Sequence, residues 1–256
     1  MWHGLPIVHS EYAFRALAKR FAADPICDVG AFDGAHSKRF RSIGARVIAF
    51  EPNPHCFDAL AADGSIAEVG IEIVNKAVWN EDGTVAFHVI SLSIAGPLSA
   101  RTPISSVLER MPAYGFPAER TDVEAVRLDT YLKGLHATGA GPIAVWIDAE
   151  GSGYQVIEGM EQVRQSVCLV HVEVETEQYW LHQRLGSDVA EITRRFGFTP
   201  VARSPGNFQF DVLFVNDDWL RRERLYVRWF IALAWCRLKV GQIIAHRARR
   251  ARARPR

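Results

Sequence analysis

"PICDVGAFDGAHSKRFRSIGARVIAFEP", residues 25–52, decides the fold. "PICDVGA" is an apolar run that reads as a buried strand, and "SKRFRSIG" follows as a short helix with Gly44 where a left-handed stop is expected. "RVIAFEP" is the next strand. Strand, helix and strand at this spacing make a parallel crossover. The first turn holds Gly30 and Gly34, with Asp28 and Asp33 beside them. Without Cβ atoms, either the backbone merely turns there, or it comes within van der Waals distance of a ligand that the next helix's free N–H groups also face.

Working outward, residues 10–22 space Tyr12, Phe14, Leu17 and Phe21 as a helix does, with Ser10 as its cap. Past Glu51 come a helix over "PHCFDALAAD", a strand over "EIVNKAVW", and an "NEDG" turn into "TVAFHVIS", an antiparallel addition. From 92 to 123 the pattern fails, broken by Pro97, Pro103, Pro112 and Pro117, and a stretch that long either lids a site or lacks fixed structure. Order returns with "EAVRLDTYL", the apolar strand "PIAVWIDAEG", a helix over "GYQVIEGMEQV", the strand "VCLVHVEVET", a helix over "DVAEITRRFG", and a strand pair around "FTPVAR" and "FQFDVLFVND". The expected fold is α/β, a doubly wound and mostly parallel sheet within residues 1–218. Residues 1–24 form a helical lead-in, 92–123 an irregular insertion covering the substrate, and 219–256 a basic amphipathic helical tail.

A chain of 256 residues that is 48% hydrophobic can bury a sizeable core. Its four cysteines form no CxxC pair, and two lie in apolar strands, so free thiols in a reducing compartment are expected. No basic flank leads into an apolar stretch at the start, and no run of about 18 apolar residues occurs, so a cytoplasmic location is expected. The net charge of +1 hides an asymmetry: residues 220–256 carry twelve Lys/Arg against one acid, a tail of +11 on a body of −10.

Ligands of doubly wound sheets sit outside the carboxyl ends of the strands. Glu51 ends the second strand, where an acid can accept both hydrogen bonds of a ribose diol. The glycines are spaced G-x-x-x-G rather than as a dinucleotide fingerprint, and acids at 28 and 33 would repel a pyrophosphate but welcome a sulfonium or an amino group. That combination resembles S-adenosylmethionine-dependent methyltransferases, and the FkbM-type family in particular. "DVGAFDGAHS", "VIAFEPNP", "NKAVWNEDGTVAFHV", "VRLDTYL" and "VWIDAEGSGYQVIEGM" are similar, in order, to its motifs, across roughly residues 25–216. The resemblance implies a seven-stranded Rossmann-like methyltransferase sheet and O-methylation of sugar, glycan, lipid-linked or natural-product hydroxyls. For the cofactor, S-adenosyl-L-methionine, it and the residues together mark Asp28 for the amino or carboxylate end, Gly30 and Gly34 for backbone approach, and Glu51 for the ribose. Phe32 lies in the same motif, Asp148 at the end of the fourth parallel strand, and Asn75 and Ala77, resting mainly on the resemblance, flank adenine. The chain departs from the family at Phe32, where Asn is usual, so that a polar cofactor contact is either missing or taken over by Asp33, and at Gly153, where a further Glu is usual.

Methyl transfer needs an acceptor held in line with the sulfonium methyl, and an alcohol must also lose a proton, which a carboxylate with a raised pKa can take. Asp148 and Glu150, at the carboxyl end of "IAVWI", are the first acid/base candidates; they can instead hold a divalent cation, cap the helix near Ser152, or hold the cofactor's amino group. In "LVHVEVET", His171, Glu173 and Glu175 share one face of the strand. Glu173 is the stronger site candidate, and His171 is either an alternative base or part of a buried polar network. His36 either touches cofactor or lies in solvent.

The tail starts as an apolar helix around "WFIALAWC" and ends as an arginine string. Residues 220–256 suit peripheral contact with anionic lipid, and the alternatives are packing on the acidic body or on a second copy in a homo-oligomer. Nucleic acid is the least favoured partner. Two rival readings of the whole chain stay open: a non-catalytic nucleotide-binding interaction protein that the tail recruits to membranes, and a nicotinamide-dependent sugar oxidoreductase.

Overall fold

The computed structural model describes residue 2 and residues 4–91, 102–136 and 141–252. The chain opens with α1 (Ser10–Arg20), β1 (Ile26–Val29), α2 (Ala35–Arg41), β2 (Val47–Phe50), α3 (Pro54–Ala62), α4 (Gly64–Glu68) and β3 (Glu72–Val74). It continues through β4 (Ala77–Trp79), β5 (Gly83–Ile90), β6 (Ala118–Arg127) and α5 (Leu128–His136). The second half holds β7 (Ile143–Ile147), α6 (Gly153–Glu158), β8 (Val167–Glu175), α7 (Gly186–Arg195), β9 (Phe198–Arg203), β10 (Gln209–Asn216) and α8 (Asp217–Arg252).

Seven strands form one sheet in the order β3-β2-β1-β7-β8-β10-β9. The first five run parallel, and β10 lies antiparallel between β8 and β9. This is the α/β sheet expected from the sequence. Strands β2 and β7 are unbroken apolar runs and β1 is interrupted only by the buried Asp28, because both faces of the sheet are covered. On one face Val145, Ile147, Val170 and Val172 pack with α5, α6 and α7 residues. On the other, Ile26, Ala144 and Trp146 pack against Phe14 and Leu17 of α1, Phe40 of α2 and Phe230 of α8. Each such fully buried side chain contributes about 1.5–3 kcal/mol. The order reverses between β1 and β7, so the crevice of a doubly wound sheet opens at their carboxyl ends.

Four expectations are corrected. "EIVNKAVW" is two strands in two sheets: β3 edges the main sheet, whereas β4 pairs with β6 in a separate three-stranded sheet, β4-β6-β5. "TVAFHVIS" is antiparallel, as expected, but its partner is β6 rather than the main sheet. The irregular insertion is shorter than 92–123, since residues 118–123 belong to β6; residues 92–101 lie outside the described ones. Ser10 does not cap α1: its hydroxyl donates to Asp211 (2.7 Å), and His9 occupies the cap position. The tail is helical from Asp217 to Arg252, with a break at Glu223, which accepts two bonds from the Arg20 guanidinium (3.0 and 2.8 Å).

Candidate active site

A pocket opens where β1, β2 and β7 end; Val29, Gly30, Phe32, Phe50, Glu51, Ala77 and Asp148 line it. Glu51 is the lining carboxylate that receives a backbone donor on each oxygen. Its Oε2 accepts the Phe32 N–H (2.7 Å), and its Oε1 accepts the Asn53 N–H (2.8 Å). Burial pushes its carboxyl up to about 7, against these two backbone hydrogen bonds, which pull it down. Phe32 aims its N–H there from a left-handed backbone (φ +48°), a strained conformation for a residue with a side chain. Each Glu51 oxygen keeps a second lone pair, so the carboxylate can still accept hydroxyl groups.

The glycines mainly make room for the protein itself. A Cβ on Gly30 would stand 2.0 Å from the Asp148 carbonyl oxygen, so its absence lets the ends of β1 and β7 close up. Gly30 also lines the pocket. A Cβ on Gly34 would meet Ile66 and Leu60 side chains at 2.8 and 2.9 Å, so this glycine packs α2 against α3 and α4. It does not line the pocket. Asp28 faces α2, where the Ser37 hydroxyl donates to Oδ2 (2.5 Å), and its Oδ1 is buried without a donor. Burial pushes the Asp28 carboxyl up to about 7. Asn75 likewise stands outside the lining; its amide donates to the Glu51 carbonyl (2.8 Å) and braces the strand end, whereas Ala77 does line the pocket. Asp33 Oδ1 accepts the Ala35 N–H (2.9 Å) just ahead of α2, whose cap position Gly34 occupies.

Beside the pocket, Asp148, Glu150 and Glu173 each bring a carboxylate oxygen within 4.8 Å of the others. Asp148 and Glu150 come from the β7–α6 loop and Glu173 from the end of β8. Burial first, then the neighbouring carboxylates, pushes Glu150 up to about 8 and Glu173 up to about 9. Burial also raises Asp148. Glu175, the next residue on that face of β8, is raised to about 7 by burial. Glu150 has φ +40° and is followed by Gly151 at φ +80°. A Cβ at 151 would stand 2.3 Å from Trp180, so the tight loop and the buried indole fit together. The Ser106 hydroxyl donates to the Glu150 carbonyl (2.7 Å), tying the segment after residue 101 to this loop. Arg110 lies 4.8 Å over the Trp180 ring and 5.3 Å over that of Phe116, and its charge draws the Glu150 carboxyl down. Sequence reading missed Ser106, Arg110 and Trp180, whose places depend on that segment; the buried Trp180 soon after β8 was the only readable signal.

Of the two readings of His171, alternative base and buried network, the geometry favours the network. It is 1% exposed, stacks on Trp146 (centroids 3.3 Å, planes 4° apart), and holds Nε2 3.7 Å from Asp211 Oδ2, away from the pocket lining. His36 stacks on the other side of that network, 4.8 Å from Trp146, and burial lowers its pKa.

Residues 28–200 match the family described as the methyltransferase FkbM domain. Over 151 residues the chain is 27% identical to the hexuronic acid methyltransferase AglP of Haloferax volcanii, a match covering 59% of this chain and 56% of that protein. The chain therefore aligns with little more than half the length of that relative. Two solved structures are similar: an rRNA methylase from Streptococcus thermophilus (TM-score 0.44, 12% identity, 81% of this chain and 96% of that one), and magnesium protoporphyrin IX methyltransferase from Synechocystis PCC 6803 with bound SAM (TM-score 0.42, 8% identity, 80% and 79%). At these scores neither bears on what this chain binds.

Proposed function

The chain belongs to the FkbM family of S-adenosylmethionine-dependent methyltransferases, and from that premise we propose that it methylates a hydroxyl of a sugar, glycan or lipid-linked acceptor. A sugar is favoured because the curated relative is a hexuronic acid methyltransferase. The observation that carries the reading is the trio Asp148, Glu150 and Glu173, crowded within 4.8 Å beside a pocket that Glu51 and Gly30 line.

The pocket residues fit the cofactor. Glu51 would accept the ribose hydroxyls with the lone pairs its backbone donors leave free, while Gly30, Phe32 and Ala77 line the apolar floor. Acidic walls at Asp148 and Glu51 suit a cation. When bound, S-adenosylmethionine supplies an electrophilic methyl group. The protein's own part is to fix the acceptor and remove its proton. A carboxylate raised to about 8 is a stronger base than an ordinary one, and Glu150 takes that role, with Glu173 keeping its charge high in energy. The same three carboxylates are spaced to hold a divalent cation, which would lower the acceptor's pKa by coordination instead.

Transfer of a labelled methyl group to glycan-containing extract, with and without EDTA, tests this reading. Labelled sugar product that persists in EDTA supports the carboxylate base. Loss in EDTA moves the role to a cation, and no labelled product with any acceptor defeats the proposal.

A further inference from the structure

Helix α8 is two-faced. Val227, Phe230, Ile231, Ala234 and Leu238 are buried against the body, where Tyr12 stacks near Phe230 (5.7 Å) and its hydroxyl accepts the Arg237 guanidinium (2.8 Å). The helix is thus anchored, and packing on its own body is satisfied by this one face. The opposite face is also apolar. Leu225 is 84% exposed, Trp229 62%, Val240 55% and Trp235 41%, and at 100° per residue the first three fall along one stripe. Arg228 and Lys239 flank that stripe. A helix packed on its own body gains nothing by holding a leucine, a tryptophan and a valine in water on the side away from its core, with Trp235 exposed at the flank.

Beside the stripe runs an open groove, with Val201, Val227 and Ile231 on its floor and the exposed Arg224 and Arg228 at its rim. An apolar floor under two guanidinium groups matches an acyl chain below a phosphate. Self-association is the wrong occupant. A two-fold contact would set this face against its own copy, and residues 220–256 carry twelve Lys/Arg against one acid. No described helix is long and apolar enough to cross a membrane, so the face would lie on a bilayer and not span it.

We propose that the outer face of α8 docks on an anionic phospholipid surface, Leu225, Trp229 and Val240 entering the headgroup boundary and Arg224 and Arg228 pairing with phosphates. This docking is independent of the methyl-transfer reading.

The test is co-sedimentation of the full chain with vesicles of phosphatidylcholine alone or with about 30% phosphatidylserine, at about 0.1 M and about 0.5 M salt. Binding to the anionic vesicles that salt weakens is the expected result. The double variant Leu225→Ser/Trp229→Ser should bind roughly tenfold more weakly, and so should Arg224→Gln/Arg228→Gln, with melting temperatures unchanged because these side chains face solvent. Equal binding to both vesicle types, or serine variants that bind as wild type does, would overturn the proposal. So would light scattering that shows a dimer which Trp229→Ser dissociates, or tighter binding to nucleic acid than to the anionic vesicles.

Discussion

At the ends of β1 and β2, Glu51 receives a backbone N–H on each oxygen, and Ser37 steadies Asp28. At the ends of β7 and β8, Asp148 and Glu150 are offered no hydrogen-bond donor by the described residues, and Glu173 adds a third carboxylate within 4.8 Å. Both regions bury acids and raise their pKa values, yet by different means. In the first, two backbone donors counter the desolvation of Glu51 and hold its carboxylate in one orientation for the hydroxyl groups of a ligand. In the second, desolvation is compounded by like charge, which leaves the acids eager for a proton or a cation. On the proposed reading, one end of the sheet holds the cofactor and the other reacts.

The comparison breaks first at Glu150. Glu150→Gln should lower the methyl-transfer kcat by about 10²- to 10⁴-fold, the range for losing a positioned base, while S-adenosylhomocysteine binding stays within about twofold. A variant that loses both together would mean that the two ends are not separate. Gly30→Ala joins them by a different route: its Cβ would clash with the Asp148 carbonyl, and its φ of +85° disfavours any side chain. The expected loss is about 3 kcal/mol of stability, read by denaturant titration, and an unchanged midpoint would show that the strand ends have room to spare.

Next in size is Glu51→Gln, whose amide keeps a carbonyl oxygen for one of the Phe32 and Asn53 donors but turns its NH2 toward the other. Affinity for S-adenosylhomocysteine should fall about 10- to 100-fold by calorimetry, and in the wild type it should also weaken as pH drops below about 7, where the carboxylate takes a proton. A smaller effect concerns stability. With Glu150 and Glu173 raised to about 8 and about 9, the folded protein keeps protons that an unfolded chain, with carboxyls near 4.5, has released. Their contribution is therefore complete below about 4.5 and is lost as pH rises to about 9. Glu150→Gln should flatten that decline, melting a few degrees above wild type near pH 8.5, the shift that about 1 kcal/mol gives in a chain of this size, and level with it near pH 5. Parallel curves would remove Glu150 from the crowded group. The smallest change is Asn75→Ala, where losing one brace to the Glu51 carbonyl should weaken S-adenosylhomocysteine binding by about 1 kcal/mol; no change would leave Asn75 without a part in the cradle.

Sequence showed the holding end well and the reacting end in part. Apolar runs closed by Glu51 and Asp148 were readable because buried parallel strands leave continuous hydrophobic signals, and their carboxyl ends face the crevice by topology alone. What Gly30 and Gly34 make room for was not readable, because a missing Cβ looks the same whether ligand or protein fills the space; the Asp148 carbonyl and the Ile66 and Leu60 side chains fill it, and Gly30 lines the pocket as well. The second sheet went unseen because β6, mostly exposed and mixed in charge, lacks the alternation of a half-buried strand. In β8, period-two reading put His171 and Glu173 on one face. It could not show that the first stacks under α1 while the second reaches the open end.

The central claim is that the pocket beside Glu51 holds an adenosyl sulfonium compound and not a dinucleotide. Calorimetric titration of the wild-type chain with S-adenosylhomocysteine and with NAD tests it most directly. Saturable heat with the first and none with the second is the predicted result; heat with NAD alone would contradict the account.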